Sequence, residues 1–236
     1  MDELVTYDIA EGIARIVIDD GKRNAMSADL LALLHRAFER AEGEARAVTL
    51  IGRPGVFSAG FDLQVFARRD PLEIHDMVRL GAELALRLFA FPLPVVVGCT
   101  GHAYPMGAFL MLASDFCIGT EGPYLIGLNE VAIGLAIPRF AVELSRAMLT
   151  PPYFNRIVTA QMLDPGEARD AGFVASLVDA DALDGAVRAK AHELAALDPI
   201  AFRMTKSRVR SVAAAAIRRA IDEEITLDHY RRAAVN

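Results

Sequence analysis

The sequence predicts an α/β fold in which a spiral core of alternating strands and helices precedes a mainly helical region. Short runs rich in β-branched residues alternate with longer stretches of helical periodicity over residues 1–150, whereas helical patterns dominate residues 151–236. The chain has 236 residues, and 53% of them are hydrophobic, which suffices for one compact domain or for a domain with a small appendage. We therefore expect residues 1–150 to form the core and residues 151–236 to serve packing and oligomerisation.

The first predicted elements are a β-hairpin and a helix. VTYDIAEGIARIVIDD alternates apolar and polar residues on either side of Glu11 and Gly12, which is typical of two antiparallel strands joined by a short turn. Ser27 is the expected N-cap of the helix SADLLALLHRAFERAE. The apolar stripe of this helix consists of Leu30, Leu31, Leu34 and Phe38.

Predicted strands and helices continue to alternate along the chain. AVTLIG, PVVVGCT and DFCIG predict strands, and PLEIHDMVRLGAELALRLFA and MGAFLMLA predict the helices between them, as in βαβ units. Beyond residue 150, GFVASLVD predicts one further strand among helical stretches. Helical patterns continue from Phe202 to Arg232, and the tail SVAAAAIRRAIDEEITLDHYRR predicts an amphipathic helix that packs on the core or on a neighbouring subunit.

The charge of the chain bears on the ligands that it can bind. The net charge of −6 argues against a nucleic-acid surface, although a local basic pair can still bind an anion. The sequence offers two such pairs: a solvated loop is the favoured interpretation of Arg68 and Arg69, and both interpretations stay open for Lys22 and Arg23.

The chain also lacks the patterns of exported and membrane proteins. Its start, MDELVTYDIAEG, has no apolar segment, and no apolar stretch is long enough to span a bilayer. Cys99 and Cys117 lie in apolar surroundings without metal-ligand spacing, so we expect buried free thiols. These features predict a cytoplasmic protein.

Two loops have the composition of oxyanion-binding sites. In VFSAGFDL, Ala59 and Gly60 allow a tight turn that leaves the N–H of Phe61 facing a pocket, although an ordinary strand-ending turn has the same residues. In GHAYPMGAFLMLASD, a Gly- and Pro-containing loop enters a helix, whose free N–H groups at Met106 and Gly107 suit a developing negative charge. An ordinary buried helix start is the alternative for this loop.

A single acid stands in the apolar run LIGLNEVAIGLAIP. Its neighbours are expected to desolvate Glu130 and raise its pKa toward the range of proton transfer. The alternative is an outward-pointing Glu130 or a structural ion pair with Arg139.

These segments, in their order along the chain, resemble a known family. DGKRNAMS, VFSAGFDL, GHAYPMGAFLMLASDF and IGLNEVAIGL are similar to motifs of the crotonase superfamily of enoyl-CoA hydratases and isomerases, over nearly the whole chain. The resemblance implies a crotonase-like ββα spiral core, an acyl-CoA substrate and an oxyanion hole formed by the N–H groups of Phe61 and Met106. The other substrate or CoA contacts that it implies are Lys22, Arg23, Ala25, Ala59, Gly60, Asp62, Leu63, Gly107 and Phe109.

The resemblance extends to assembly and cofactors. It implies a homotrimer or a dimer of trimers, with no metal and no redox cofactor, because coenzyme A is part of the substrate. GLNE is the most specific match, and it is similar to that of the mitochondrial Δ3,Δ2-enoyl-CoA isomerases.

The departures from the family pattern bear on the reaction. Hydratases of the family carry a second glutamate where this chain has Phe109, and Met106-Gly107 replaces a more usual Gly-Gly pair, so that the methionine side chain is expected to crowd the pocket. GKRNAM replaces a Pro-containing motif. One base at Glu130 suffices to move a proton between the α and γ carbons of the acyl group, whereas hydratases divide hydration between two acids. The sequence therefore favours Δ3,Δ2-enoyl-CoA isomerisation, with enoyl-CoA hydration and a non-catalytic acyl-CoA-binding protein as alternatives.

Several other polar residues near these motifs are assigned structural roles. We expect His102 to be a hydrogen-bonded structural histidine, Asp62 to cap a helix or fix a loop, and Asp115 to stabilise the end of a helix.

Overall fold

The structure, a computed structural model, describes residues 4–233. Within this range the strands are β1 Val5–Ala10, β2 Ile13–Ile18, β3 Ala47–Ile51, β4 Gly55–Ser58, β5 Val95–Cys99, β6 Gly101–Ala103, β7 Phe116–Thr120 and β8 Ser176–Val178. The helices are α1 Ala28–Glu44, α2 Leu63–Arg68, α3 Pro71–Phe89, α4 Pro105–Ala113, α5 Arg139–Met148, α6 Pro151–Phe154, α7 Pro165–Ala171, α8 Leu183–Ala195, α9 Pro199–Glu224 and α10 Leu227–Ala233. Two short 3-10 turns span Val131–Ile133 and Ile157–Thr159.

Six strands form the main sheet, in the order β1-β2-β3-β5-β7-β8. The predicted hairpin is confirmed, since β1 pairs antiparallel with β2, and every other neighbouring pair is parallel. Glu11 and Gly12 both have positive φ, 52° and 77°, as a two-residue type I′ turn requires.

Helices cover both faces of this sheet. Alternate residues of a strand point to opposite faces, so Val48 and Leu50 of β3 join the cluster packed by α1, α3 and α4, while Ala47 and Ile51 join the cluster packed by α8. The cap predicted for α1 is confirmed, because Ser27 Oγ accepts from the N–H of Leu30 at 3.2 Å. The predicted stripe of α1 is buried.

A second sheet, which the sequence pattern did not predict, contains only β4 and β6. The two strands are three and four residues long and pair in parallel, from Gly55 beside Gly101 to Ser58 beside Ala103. Segments this short and this rich in glycine carry no alternation signal. The small sheet holds the two predicted oxyanion loops side by side, because each loop follows one of its strands.

The C-terminal region begins with short helices, and its two last helices pack on the core. α9 packs on α5 and α3, and α10 packs on α3. The stretch predicted to be one helix is interrupted at Ile225 and Thr226. The predicted strand in GFVASLVD is confirmed as β8, which pairs with β7 at the edge of the main sheet.

The residues assigned structural roles have them. The N–H of Leu125 donates to Nδ1 of His102 at 3.0 Å, and Asp62 caps α2 by accepting from the N–H of Gln64 at 2.9 Å. Cys99 and Cys117 are buried free thiols, and burial raises the pKa of Cys99 to about 12. In the described part of the chain, no helix is long and apolar enough to cross a membrane.

Candidate active site

Glu130 is positioned by the segment that runs beside the small sheet. Ile126 bridges Ala103 of β6 on one side and Leu163 on the other, so the chain is held on both edges before it reaches Glu130. Glu130 then opens a 3-10 turn, and its carbonyl oxygen accepts from the N–H groups of Ile133 at 3.0 Å and Leu135 at 2.9 Å. This tight turn fixes the direction in which the carboxylate leaves the backbone.

The carboxylate of Glu130 is buried and unpaired. The residue is 6% exposed, and neither side-chain oxygen has a hydrogen-bond partner within the described chain. Arg139, the alternative partner considered from sequence, instead contacts Glu223 Oε2 at 3.0 Å. Desolvation raises the pKa of Glu130 to about 7, and the proximity of the residue's own backbone N–H offsets part of that rise. A carboxyl group with this pKa can both accept and return a proton near neutral pH.

The first predicted oxyanion donor is the N–H of Phe61. The neighbouring N–H of Met26 donates to the Gly60 carbonyl at 2.8 Å, and the N–H of Asp62 donates to the Met26 carbonyl at 3.3 Å. These two bonds make Phe61 the central residue of a parallel bridge. Because successive N–H groups of an extended chain point to opposite sides, the N–H of Phe61 points away from Met26, and no residue of the described range accepts it. The φ of Gly60, 87°, lies in the left-handed region and makes this turn.

The second predicted donor stands at the start of α4. The N–H groups of Met106 and Gly107 have no intrahelical acceptor, because these residues lie in the first turn of the helix. Tyr104, which precedes the helix, makes no side-chain cap to them either. The N–H of Ala108 is the first to bond back, to the Tyr104 carbonyl at 3.0 Å.

Close packing brings the two loops together. The N–H of Tyr104 donates to the Ser58 carbonyl at 2.9 Å, and a Cβ on Gly60 would lie 3.5 Å from Pro105. A Cβ on Gly107 would lie only 2.7 Å from the Cβ of Ser58, so only glycine lets α4 approach β4 this closely. The free N–H groups of two separate loops therefore lie at one edge of the same small sheet.

A cavity of about 380 Å³ lies between these loops and Glu130. Five of the residues predicted for the site line it, namely Ala59, Gly60, Phe61, Leu63 and Glu130. The remaining wall is mostly apolar, with Phe66 from α2 and Val78 from α3 among its members. The arrangement can hold an acyl group beside one base.

The other predicted site residues lie outside the cavity lining. Met106 is fully buried with its sulfur beside Gly81 of α3, so the expected crowding of the pocket by its side chain was wrong. Phe109 is also fully buried, and its ring packs edge-on against Phe140 of α5 at 5.5 Å. The carboxylate of Asp62 is used as the cap of α2.

The loop with the basic pair lies next to the cavity wall. Lys22 and Arg23 are exposed and Ala25 is half-buried, and none of the three lines the cavity. The Arg23 carbonyl accepts from the N–H of Ala59 at 2.9 Å. This bond fastens the loop to the segment of the first oxyanion donor.

Sequence reasoning missed Asn24, which organises that loop. Asn24 is fully buried with φ of 53°, and its amide donates to the Ile18 and Phe57 carbonyls at 3.0 and 3.1 Å. Ser58 Oγ donates to the Asn24 carbonyl at 2.8 Å and accepts from the N–H of Gly60 at 3.1 Å. An asparagine tolerates the left-handed region better than most residues. Its presence in this loop was therefore the one sequence signal that could have indicated the role of Asn24.

It also missed the contribution of the C-terminal helices. Glu224 at the end of α9 and His229 and Tyr230 of α10 line the cavity, as does Asn129 beside Glu130. A helix that reaches a site from the far end of the chain leaves no local signal in the sequence.

The chain is similar to several known proteins over most of its length. Residues 8–234 match the family model described as enoyl-CoA hydratase/isomerase. A putative enoyl-CoA hydratase of Thermus thermophilus is 31% identical over 193 residues, which are 80% of this chain and 76% of that protein. The human mitochondrial enoyl-CoA delta isomerase 1 is 28% identical over 216 residues, 89% of this chain and 72% of that protein.

The similarity extends to three-dimensional structure. The crystal structure of an enoyl-CoA hydratase/isomerase family protein from Pseudomonas syringae superposes with a TM-score of 0.91 at 37% identity, covering 94% of this chain and 96% of that one. The crotonase fold implied by the sequence motifs is thus confirmed, and the family acts on acyl-CoA thioesters. The chain belongs to the enoyl-CoA hydratase/isomerase family.

Proposed function

We propose that the protein shifts the double bond of a 3-enoyl-CoA to the 2-position. The observation that carries this proposal is Glu130, a buried carboxyl group in the cavity with both oxygens unpaired and a pKa of about 7. It takes a proton from the α carbon and returns it to the γ carbon, so that one group performs both transfers. The mechanism needs no metal and no redox cofactor.

The N–H groups of Phe61 and Met106 hold the thioester oxygen in this mechanism. The negative charge of the dienolate is shared with that oxygen, and fixed donors at a helix start stabilise it without reorganising. The absence of an intraprotein acceptor for either N–H, within the described residues, supports the assignment.

The CoA part of the substrate is expected to lie along the loop of the basic pair. Lys22 and Arg23 are exposed cations, and hydrogen bonding of Arg23 to Ala59 keeps the loop beside the cavity wall. We propose that Lys22, Arg23 and Ala25 contact CoA, while Ala59, Gly60 and Leu63 contact the acyl thioester.

Hydration of a 2-enoyl-CoA is the second candidate, and the similarity to the putative hydratase of Thermus thermophilus favours it. Position 109 argues the other way, since the phenyl ring there is packed in the core and supplies no second acid. Water held by backbone groups would have to replace that acid.

The decisive experiment compares both reactions in one preparation. Purified protein is given 3-enoyl-CoA and 2-enoyl-CoA separately, and 2-enoyl-CoA and 3-hydroxyacyl-CoA are measured as the products. We expect isomerisation to have the larger kcat/KM. Faster hydration would select the second candidate, and acyl-CoA binding without either product would identify a non-catalytic binding protein.

We also propose that the protein assembles as a trimer or a pair of trimers. Exposed apolar side chains on α9 support an interface, with Val209 and Val212 exposed by 76% and 83%. Light scattering at micromolar concentration measures the mass, and a stable monomer would contradict the proposal.

A further inference from the structure

The last helix brings a hydroxyl group into the mostly apolar cavity. Tyr230 of α10 lines the cavity together with Glu224 at the end of α9. The ring of Tyr230 is half-buried and contacts His75 of α3 edge-on, with 6.1 Å between the ring centroids. No side chain or backbone group in residues 4–233 hydrogen-bonds to its hydroxyl.

Helix α3 shows where along the cavity this hydroxyl lies. Gly81 is the contact point of the Phe61 ring, since a Cβ there would lie 2.5 Å from that ring. Val78, one turn earlier, lines the cavity, and His75, one turn earlier again, contacts Tyr230. With a rise of 1.5 Å per residue, His75 is about 9 Å along the helix axis from Gly81. Tyr230 therefore stands at the end of the cavity remote from the oxyanion donors.

The chemistry of this remote end differs from that of the apolar middle. Burial, with a smaller contribution from the charge of Glu224, raises the pKa of Tyr230, so its hydroxyl stays protonated and is a hydrogen-bond donor. Glu224 supplies acceptors, although one of its oxygens already accepts from the N–H of Arg139 at 2.6 Å. Donor and acceptor together match a neutral hydroxyl group, which accepts from one and donates to the other.

Two other kinds of acyl terminus fit less well. A plain alkyl chain that reaches Tyr230 offers the phenol no acceptor and excludes solvent from it, which leaves a buried donor without a partner. A carboxylate terminus meets the negative charge of Glu224, while the nearby cation Arg139 is already engaged with Glu223.

We propose that Tyr230 and Glu224 form a specificity site that selects acyl groups carrying a hydroxyl near the end remote from the thioester. This inference rests on the proposed acyl-CoA function, because it concerns the far end of the same substrate. The hydroxyl of Tyr230 selects the ligand by hydrogen bonding. The ring without its hydroxyl would only limit the length of the acyl chain.

The test measures binding rather than turnover. Calorimetry with the full-length protein compares saturated acyl-CoA ligands of equal chain length, one with a hydroxyl on the terminal carbon and one without, across a medium-chain series. At the chain length that reaches Tyr230, we expect wild-type protein to bind the hydroxylated ligand roughly tenfold to a hundredfold more tightly. Tyr230→Phe keeps the ring and removes the donor, so it should abolish most of that preference and leave the affinity for the plain chain unchanged or higher.

The possible results separate this inference from the proposed function. Equal affinities in the wild type at every chain length overturn the specificity site while leaving the acyl-CoA function intact. A preference that survives in folded Tyr230→Phe also overturns it. Failure of both ligands to bind wild-type protein would overturn the proposed function itself. The comparison of the two ligands on wild-type protein needs no variant, so it tests the inference even if a variant misfolds.

Discussion

Glu130 is held in an environment that opposes its charge. Its oxygens lie out of contact with solvent and without a partner in the described chain, and its pKa is raised to about 7. A carboxylate in this state is a stronger base than a solvated one, and it is poised between its two protonation states at neutral pH. The same desolvation costs folding stability whenever the group is ionised.

The first prediction concerns catalysis by this residue. Glu130→Gln keeps the shape of the side chain and removes the base, so we expect isomerisation of 3-enoyl-CoA to fall on the order of a hundredfold or more. Acyl-CoA affinity should change little, because the oxyanion donors are backbone groups elsewhere. Steady-state kinetics measures the isomerisation rate, and calorimetry measures the acyl-CoA affinity. Turnover close to that of the wild type would contradict the mechanism.

The second prediction concerns stability and pH. The folded-state pKa of Glu130, about 7, lies above the unfolded value of 4.5, so the folded protein holds its proton more tightly and loses stability as pH rises between these values. The full cost above pH 7 is roughly 3 kcal/mol. Glu130→Gln lacks this cost. Thermal unfolding at several pH values should therefore show that the stability of the variant relative to the wild type increases from acidic toward alkaline pH. A constant difference across that range would contradict the desolvation argument.

At the scale of elements, the sequence predicted the long helices and the buried strands because their periodicity is strong. β3 and α1 owe their form to local residue choice and were found. β4 and β6 were missed because three or four residues with glycines give no pattern. The burial of Glu130 was predicted from its apolar neighbours. The position of Tyr230 was not, because α10 reaches the cavity only by folding back on α3, which is a tertiary contact.

The third prediction tests how closely two elements must approach. Gly107→Ala places a Cβ 2.7 Å from the Ser58 Cβ, and the overpacking should cost about 1–3 kcal/mol of stability and displace the neighbouring N–H of Met106. We expect kcat/KM to fall with it. Gly43→Ala in α1 is the matched control, since nothing lies within 4 Å of that site, and it should stabilise the helix by about 0.5–1 kcal/mol. Similar effects of the two changes in denaturant unfolding would refute the role given to Gly107.

At the scale of the whole molecule, one buried ionic cluster ties α9 to the core. Asp115, between α4 and β7, accepts from the N–H of Val95 at 2.9 Å and from Lys206 Nζ at 2.7 Å. Arg210 approaches its other oxygen at 3.2 Å and donates to the carbonyls of Phe89 and Ala113. Side-chain exposures of 6–13% for the three charged groups exclude most water. Helix α9 is thereby fastened where the two core helices α3 and α4 end.

The fourth prediction is that Asp115→Asn destabilises the whole protein. The change leaves two buried cations without their counter-charge, which typically costs about 3–5 kcal/mol. The pKa of Lys206, already lowered to about 8 by burial, should fall further in the variant, so its folded state sheds the proton more readily than the unfolded chain does. Stability of the variant then rises with pH relative to the wild type, and the deficit should be smaller at pH 8 than at pH 6. Asp170→Asn is the control, because its pair with Arg169 is exposed and should contribute less than about 1 kcal/mol.

Because the cluster joins α9 to both α3 and α4, denaturant unfolding of Asp115→Asn should remain a single transition with a lower midpoint. A separate early transition would show instead that the C-terminal helices unfold independently of the core, and that the cluster stabilises only their docking.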